Sequence, residues 1–306
     1  MTRPVLWGRA YFAVQALAGA TWWLLVFSSP WVRLVTLGQL DPVVVALFDV
    51  PLFVLASGLA AAGIRIAAFI ATGWTGLVAV ALAGYATVTG QAGWGVLAMA
   101  AAAGGSVAAL ALLVLGRIPT QWILLGPFAF RLARPGGSAL RHAVATAVQI
   151  VLFWGFFLGV VPIIIRWLEH RWGFAITLPV GVPVVGAVIF VLASALGIWS
   201  AAAMSTLGKG TPLPAAMPRQ LVVAGPYRFV RNPMAVSGIV QGVAVGLMLS
   251  SWLVVAYALL GSLLWNYAVR PHEEADLEKR FGDPYRQYRD AVRCWVPGRP
   301  VARSVG

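Results

Sequence analysis

Long apolar runs, separated by short clusters rich in Gly, Pro and Arg, fill the chain from about residue 10 to residue 269. Eight of them, near 10–28, 42–63, 67–88, 94–116, 142–165, 177–200, 234–249 and 251–269, read as membrane helices. A crossing helix needs roughly 20 apolar residues, and in lipid a helix satisfies its own backbone hydrogen bonds. Only Gly63-Ile64-Arg65 separates the second run from the third. The seventh run is short and is expected to form a tight helical hairpin with the eighth, turning at Ser250-Ser251. The predicted fold class is therefore all-α: a polytopic membrane protein of about eight transmembrane helices, with a C-terminal helical hairpin and polar segments flanking it.

Composition agrees with this pattern. The 306 residues are 60% hydrophobic and 10% charged, whereas soluble domains carry about 25% charged residues. The run from about Ala10 to Phe27 is long for a signal-peptide core and reads as a span. A net charge of +13 would suggest nucleic acid in a soluble protein. Here the positions of the charges carry a different meaning. With the N-terminus inside, only Arg33, Arg166 and Arg171 of the 22 lysines and arginines fall outside. By the positive-inside rule both termini are expected in the cytoplasm, in a bacterial inner (plasma) membrane, with no nucleic-acid partner. Cys294 is the single cysteine, which excludes an internal disulfide and argues against a cysteine metal centre; no metal is expected.

The segment from Arg117 to His142 contains Ile118-Pro119, Gly126-Pro127 and Pro135-Gly136-Gly137, all loop signals. Between them, 122–132 with Arg131 and Arg134 fits an interfacial helix or a loop. The chain is divided here into a four-span module, 1–128, and a second domain, 129–306. In the first, Asp49 lies inside an apolar run beside Val50-Pro51, where an ionisable group needs a partner or a function. The small residues Ala100 to Gly105 suit a central, closely packed helix. In the second, Gln149 lies in the fifth run, and Gly238, Gly242 and Gly246 form a strip for close helix contact. Gln241 and Asn266 are polar groups able to satisfy each other across the hairpin.

Chemistry concentrates in two polar segments. The first is Gly225-Pro226-Tyr227-Arg228-x-x-Arg231-Asn232-Pro233. Gly225-Pro226 favours a turn. Asn232 is a candidate N-cap with Pro233 at the first helical position, and a helix N-terminus suits a carboxylate. The second is Glu273-Glu274-x-x-Leu277-x-x-x-Phe281-Gly282-x-x-Tyr285-x-x-Tyr288. Glu273, Leu277 and Phe281 share one helical face, and Arg270 and Glu274 another. Cationic donors in the first segment and an inward carboxylate in the second could hold a zwitterion such as the methionyl end of S-adenosylmethionine. The plainer reading has the arginines holding lipid headgroups and pairing with the acids.

From Leu221 to Tyr288 the chain resembles the isoprenylcysteine carboxyl methyltransferase family and its phospholipid methyltransferase-like members, in the residues, order and spacing of both segments. The resemblance implies a membrane methyltransferase using S-adenosyl-L-methionine, with the pocket open to the cytoplasm and a tunnel open to lipid. It implies that Val222, Val223, Ala224, Gly225, Tyr227, Arg228, Arg231, Asn232 and Glu273 bind the cofactor. Arg270 and Glu274 would lie at the methyl acceptor as catalytic residues. Two features depart from the family pattern. Asn232 stands where many members have His, so no base acts from that position. Arg270 is three residues before the Glu pair instead of four, with Pro271 following, and His272 is a candidate to replace it.

The expected acceptor is a lipophilic or lipid-linked molecule, in the first instance an isoprenoid-like carboxylate. A carboxylate or thiolate needs no base near neutral pH, whereas an amine would need one, for which Glu274 is the candidate; the absence of His at 232 favours the first kind. The surrounding membrane lipids are partners, and the first four spans would serve substrate access or contact with a protein partner. Two rival readings are a non-catalytic membrane protein binding anionic lipid or a partner, and a sterol-reductase-like, NADPH-dependent membrane reductase.

Overall fold

A computed structural model describes residues 3–124, 144, 147–148, 151–208, 220–302 and 304–305. They form two compact units. One is Met1–Pro119 with Leu168–Phe174; the other is Thr120–Trp167 with Ala175–Gly306.

The first unit is built from α1 (Arg3–Ser28), α2 (Pro30–Leu37), α3 (Pro42–Ala62), α4 (Arg65–Thr89) and α5 (Gly93–Leu115). Local sequence sets the helix starts. Ser29 accepts from the Val32 N–H, and Asp41 Oδ1 accepts from Val43 and Val44 at 2.8 and 3.1 Å, with Pro30 and Pro42 at first helical positions. The core is Phe12 and Leu113 among Ala56, Ala60, Ala67, Ala68, Ala71 and Ala109. These small side chains let the backbones approach closely, and α5 packs on both α1 and α4, as the Ala/Gly run predicts.

The buried Gln15, Ser57, Ser106 and Asp49 of this unit find partners, as a lipid-embedded bundle requires. Gln15 Nε2 donates to Ser57 Oγ at 3.0 Å, and Ser106 Oγ donates to Gln15 Oε1 at 2.9 Å. Asp49 is buried between two indoles. Trp23 Nε1 donates to Oδ2 and Trp74 Nε1 donates to Oδ1, each at 2.8 Å. Asp49 therefore pairs with neighbouring polar side chains on α1 and α4.

The second unit contains most of α6 (Val151–Arg171), then α7 (Gly181–Leu207), β1 (Val222–Val223), α8 (Pro233–Met248), α9 (Trp252–Phe281), α10 (Asp283–Ala291) and β2 (Ser304–Val305). Helix α8 packs on α7 and α9. Gly242 and Gly246 face α9. A Cβ would lie 2.8 Å from Ala258 Cβ at the first, and 2.8 Å from the Val255 nitrogen at the second. Gly238 instead faces the Trp154 ring of α6. The hairpin turns at Ser250, whose φ is +49°, and Ser251 caps α9 by accepting from the Val254 N–H at 3.2 Å.

Seven helices among the described residues are long and apolar enough to cross a membrane; α8, of 16 residues, is the shorter eighth. The protein is an all-α polytopic membrane protein. Three limits differ from the sequence pattern. The fifth span runs to Arg171 instead of ending near 165, and the sixth runs to Leu207. The last does not stop at 269 but continues as one helix to Phe281. Charged residues such as Arg166, Glu274 and Lys279 end an apolar run without ending a helix.

Proline does not break these helices, because wider turns absorb it. The π turns Gly155–Val160 and Trp265–Val269 each end two residues before a proline, Pro162 and Pro271. A proline clashes with the carbonyl four residues back, and in both cases that carbonyl lies in the π turn. Gln241 and Asn266 do not pair. Gln241 Nε2 donates to Ser194 Oγ on α7 at 2.7 Å, and Asn266 Oδ1 accepts from Trp295 Nε1 at 2.8 Å. Most of the expected interfacial helix 122–132, with Arg131 and Arg134, lies outside the described residues, as do the 128/129 boundary and Gln149.

Candidate functional site

Both polar segments belong to the second unit. The first begins at β1, where Val222 and Val223 are buried and pair antiparallel with Val305 and Ser304. Ala224 is extended. Gly225, at φ +55°, then turns the chain into a single 3₁₀ turn, Gly225–Arg228. A side chain there would be strained and would also crowd Trp199 Nε1, 3.1 Å from an added Cβ. The turn buries Tyr227 with Val222, Ala224 and Ala203. Asn232 Oδ1 accepts from the Ala235 N–H at 3.0 Å and Pro233 opens α8, as the sequence predicts.

The second segment is the polar end of α9. Its apolar, membrane-crossing part ends at Val269; from Arg270 the same helix carries Glu273, Glu274, Asp276, Glu278, Lys279 and Arg280. Leu277 and Phe281 pack on a cluster of Val223, Tyr285, Tyr288 and Val292. That contact turns the face shared with Glu273 toward the first segment. Gly282, at φ +59°, reverses the chain into α10, and Tyr288 Oη donates to the Tyr227 carbonyl at 2.7 Å.

The two segments meet. Arg231 Nη2 lies 3.2 Å from Glu274 Oε1, with the side chains 13% and 25% exposed. Arg231 Nε and Nη1 are buried and have no hydrogen-bond partner among the described residues. Glu273 likewise makes no hydrogen bond or ion pair among them. Its surroundings strip water from it, and Glu274 and Asp276 add negative charge against an opposing Arg280. Its carboxyl is therefore pushed up to about 7. Burial first, and then Tyr288 and Glu273, push the Tyr227 phenol well above its ordinary range. Burial likewise raises Tyr285 and Tyr288, which lie in the field of Arg231. All these phenols stay neutral, so the charges within the site are Arg231, the Glu pair and their flanking groups.

Other residues singled out by sequence are differently engaged. Arg228 Nε donates to the Val301 carbonyl at 2.7 Å. Arg270 forms no ion pair with Glu274 among the described residues. The neighbouring Cys294 side chain is the main influence favouring its charged form, and its Nε is buried without a hydrogen-bond partner among the described residues. His272 Nε2 lies 2.9 Å from Thr120 Oγ1.

Sequence reasoning missed the return segment 292–305. It supplies the Val301 acceptor, the Cys294 sulfur, β2, and the Arg293 carbonyl that accepts from the Arg231 N–H at 3.0 Å. It has no periodic pattern and works largely through its backbone. The only signal was Trp295, an aromatic residue among arginines and prolines.

The site can therefore hold a small zwitterion. Two orphaned donors of the buried Arg231 guanidinium are available to an anion, and a carboxylate without a partner is available to a cation or hydroxyls.

Residues 182–284, which include both polar segments up to Pro284, match the phospholipid methyltransferase family. Neither the curated proteins nor the solved structures contain a match to the chain.

Proposed function

We propose, taking the phospholipid methyltransferase segment as premise, that this membrane protein transfers a methyl group from S-adenosyl-L-methionine to a lipophilic acceptor. The observation that carries the reading is the meeting of Arg231, with two orphaned buried donors, and the Glu273–Glu274 pair inside that segment. A buried donor without an acceptor is destabilising by about 1–3 kcal/mol, so the arrangement suits a ligand that supplies one. The Arg231 fork fits an α-carboxylate. Glu273 fits an ammonium or ribose hydroxyls. The backbone of Val222–Gly225, the Tyr227 ring and the Asn232 side chain complete the wall proposed from sequence. S-adenosylmethionine, when bound, supplies an electrophilic methyl group.

The protein's own part is alignment and desolvation, and proximity of aligned groups alone is worth several kcal/mol. We assign Arg270 and Glu274 to the acceptor side. Asn232 cannot act as a base, and Glu274 is ion-paired with Arg231, which supports an acceptor that attacks without deprotonation. A carboxylate, giving a methyl ester of an isoprenoid-like or other lipid acid, meets that condition. The family description favours a second acceptor, a lipid headgroup; if the accepting atom is an amine nitrogen, Glu274, on the acceptor side, is the group that would receive its proton.

Calorimetry with S-adenosylhomocysteine on detergent-purified protein tests the reading. Saturable binding, weakened by Glu273→Ala, is the expected result. Binding of NADPH in its place would support a reductase, and binding of neither a non-catalytic lipid or partner role.

A further inference from the structure

Three consecutive residues of the return segment touch both halves of the site. The Arg293 carbonyl accepts from the backbone N–H of Arg231 at 3.0 Å. The Cys294 side chain lies beside the Arg270 guanidinium and is the main influence favouring its charged form. Trp295 Nε1 donates to Asn266 Oδ1 at 2.8 Å, and its ring meets Trp265 edge-on, with centroids 5.4 Å apart and planes at 84°. The first contact fixes the arginine side of the site; the other two fix the start of the acidic helix.

Trp265 and Asn266 are the first two residues of the π turn Trp265–Val269. A π turn inserts an extra residue into the helical repeat, so every side chain beyond it is rotated by about 100° relative to an uninterrupted α-helix. Glu273 and Glu274 follow within two turns. Whether the Glu pair faces Arg231 therefore depends on that turn keeping its width. A π turn is an uncommon state of a helix, and something must hold it. Pro271 disfavours the ordinary repeat from one side, and the Trp295–Asn266 bond with the Trp265 ring contact holds the turn from the other.

We infer that the Trp295–Asn266 pair is a positioning device for the proposed cofactor site: it locks the π turn in the register that turns Glu273 and Glu274 toward Arg231. Neither residue need touch the ligand. The pair acts on affinity through the carboxylates it aims. This rests on the functional reading above.

The test uses the full chain, the variants Trp295→Phe, Asn266→Leu and Asn266→Asp, and the Trp295→Phe/Asn266→Leu double variant. Two readouts are taken, the dissociation constant for S-adenosylhomocysteine and the thermal melting midpoint. Phe keeps an aromatic edge against Trp265 and removes only the indole donor. Asp keeps an acceptor for that donor, whereas Leu does not. The expected result is binding weakened about five- to twentyfold by Trp295→Phe and by Asn266→Leu, the loss of one hydrogen bond. The double variant should be no weaker than the poorer single one, because both remove the same contact. Asp at 266 should restore affinity to within about threefold.

Variants that melt earlier but bind S-adenosylhomocysteine as the parent does would overturn the inference and leave a structural bond only. Additive losses in the double variant would overturn it as well. If the parent chain itself binds no S-adenosylhomocysteine, the functional reading falls first and this inference with it. That outcome is distinct from the other two.

Discussion

Replacing Arg231 with Met separates what the guanidinium does for the fold from what it does for the ligand. Its side chain is 13% exposed, with one nitrogen 3.2 Å from Glu274 and two buried nitrogens without partners among the described residues. Met keeps much of the volume of the stem. In the empty protein the change removes two unsatisfied donors, each destabilising by about 1–3 kcal/mol. It also removes an ion pair whose carboxylate partner is 25% exposed and hence screened, worth about 1 kcal/mol or less. The fold should therefore be as stable as the parent or more so.

Binding should move the other way. Two charge-assisted hydrogen bonds to the ligand carboxylate, at about 1.5–3 kcal/mol each, correspond to an affinity loss of about a hundredfold or more, since 1.4 kcal/mol is tenfold. Lys at this position restores a charge but not the planar fork and should fall between. Thermal melting and calorimetry with S-adenosylhomocysteine, on the same preparations, read the two effects. A destabilised Arg231→Met protein that still binds as tightly as the parent would refute the reasoning, because the orphaned donors would then serve the fold and not a ligand.

Three further outcomes follow from the geometry. Glu273 is held near 7, above the ordinary 4.5, in the empty site. Between those values the folded protein binds more protons than the unfolded one, so this group's contribution to stability declines as pH rises through the window. A ligand ammonium needs the ionised form. Affinity for S-adenosylhomocysteine should therefore climb from pH 5 to pH 7, by at most tenfold per unit, and level off above; in Glu273→Gln the slope should vanish. Gly246→Leu forces a side chain against the Val255 backbone, where even a Cβ would lie 2.8 Å from the nitrogen. It should lower the melting midpoint sharply, overpacking typically being destabilising by about 1–3 kcal/mol, while Gly261→Leu, with open space around it, should not. Asp49→Asn sets an amide N–H₂ against one of two indole donors and should destabilise the protein by about 1–3 kcal/mol in a detergent melt; an unchanged midpoint would show that the indoles do not depend on the carboxylate.

Some of this was legible in the sequence because it is written in composition and spacing. Apolar length gave the spans, and Ser250-Ser251 the hairpin turn. Asn232-Pro233 marked the start of α8, and the i, i+4, i+8 spacing of Glu273, Leu277 and Phe281 the inward face. What was not legible depends on tertiary register. Nothing local says that the last span continues through Pro271 to Phe281, because proline normally breaks a helix and only the π turn before it removes the clash. Asn266 and Gln241 share a hairpin, yet each bonds a residue outside it. Nothing in the sequence places Arg228 and Arg270 beside the segment 292–305, where Arg228 Nε donates to the Val301 carbonyl and Arg270 lies by the Cys294 side chain. Backbone acceptors such as the Val301 and Arg293 carbonyls carry no sequence signature.

The central claim is that Arg231 and Glu273, brought together by the α8–α9 hairpin, hold S-adenosylmethionine for transfer to a lipid. It is tested most directly by incubating membranes containing the protein with methyl-labelled S-adenosylmethionine and extracting the lipids. The account predicts a labelled lipid-soluble species that disappears with Arg231→Met and with Glu273→Ala. Release of the label by mild base would identify a methyl ester, and its retention a methylated amine. Labelling that is identical in the parent and both variants, or no greater than in membranes lacking the protein, would contradict the account.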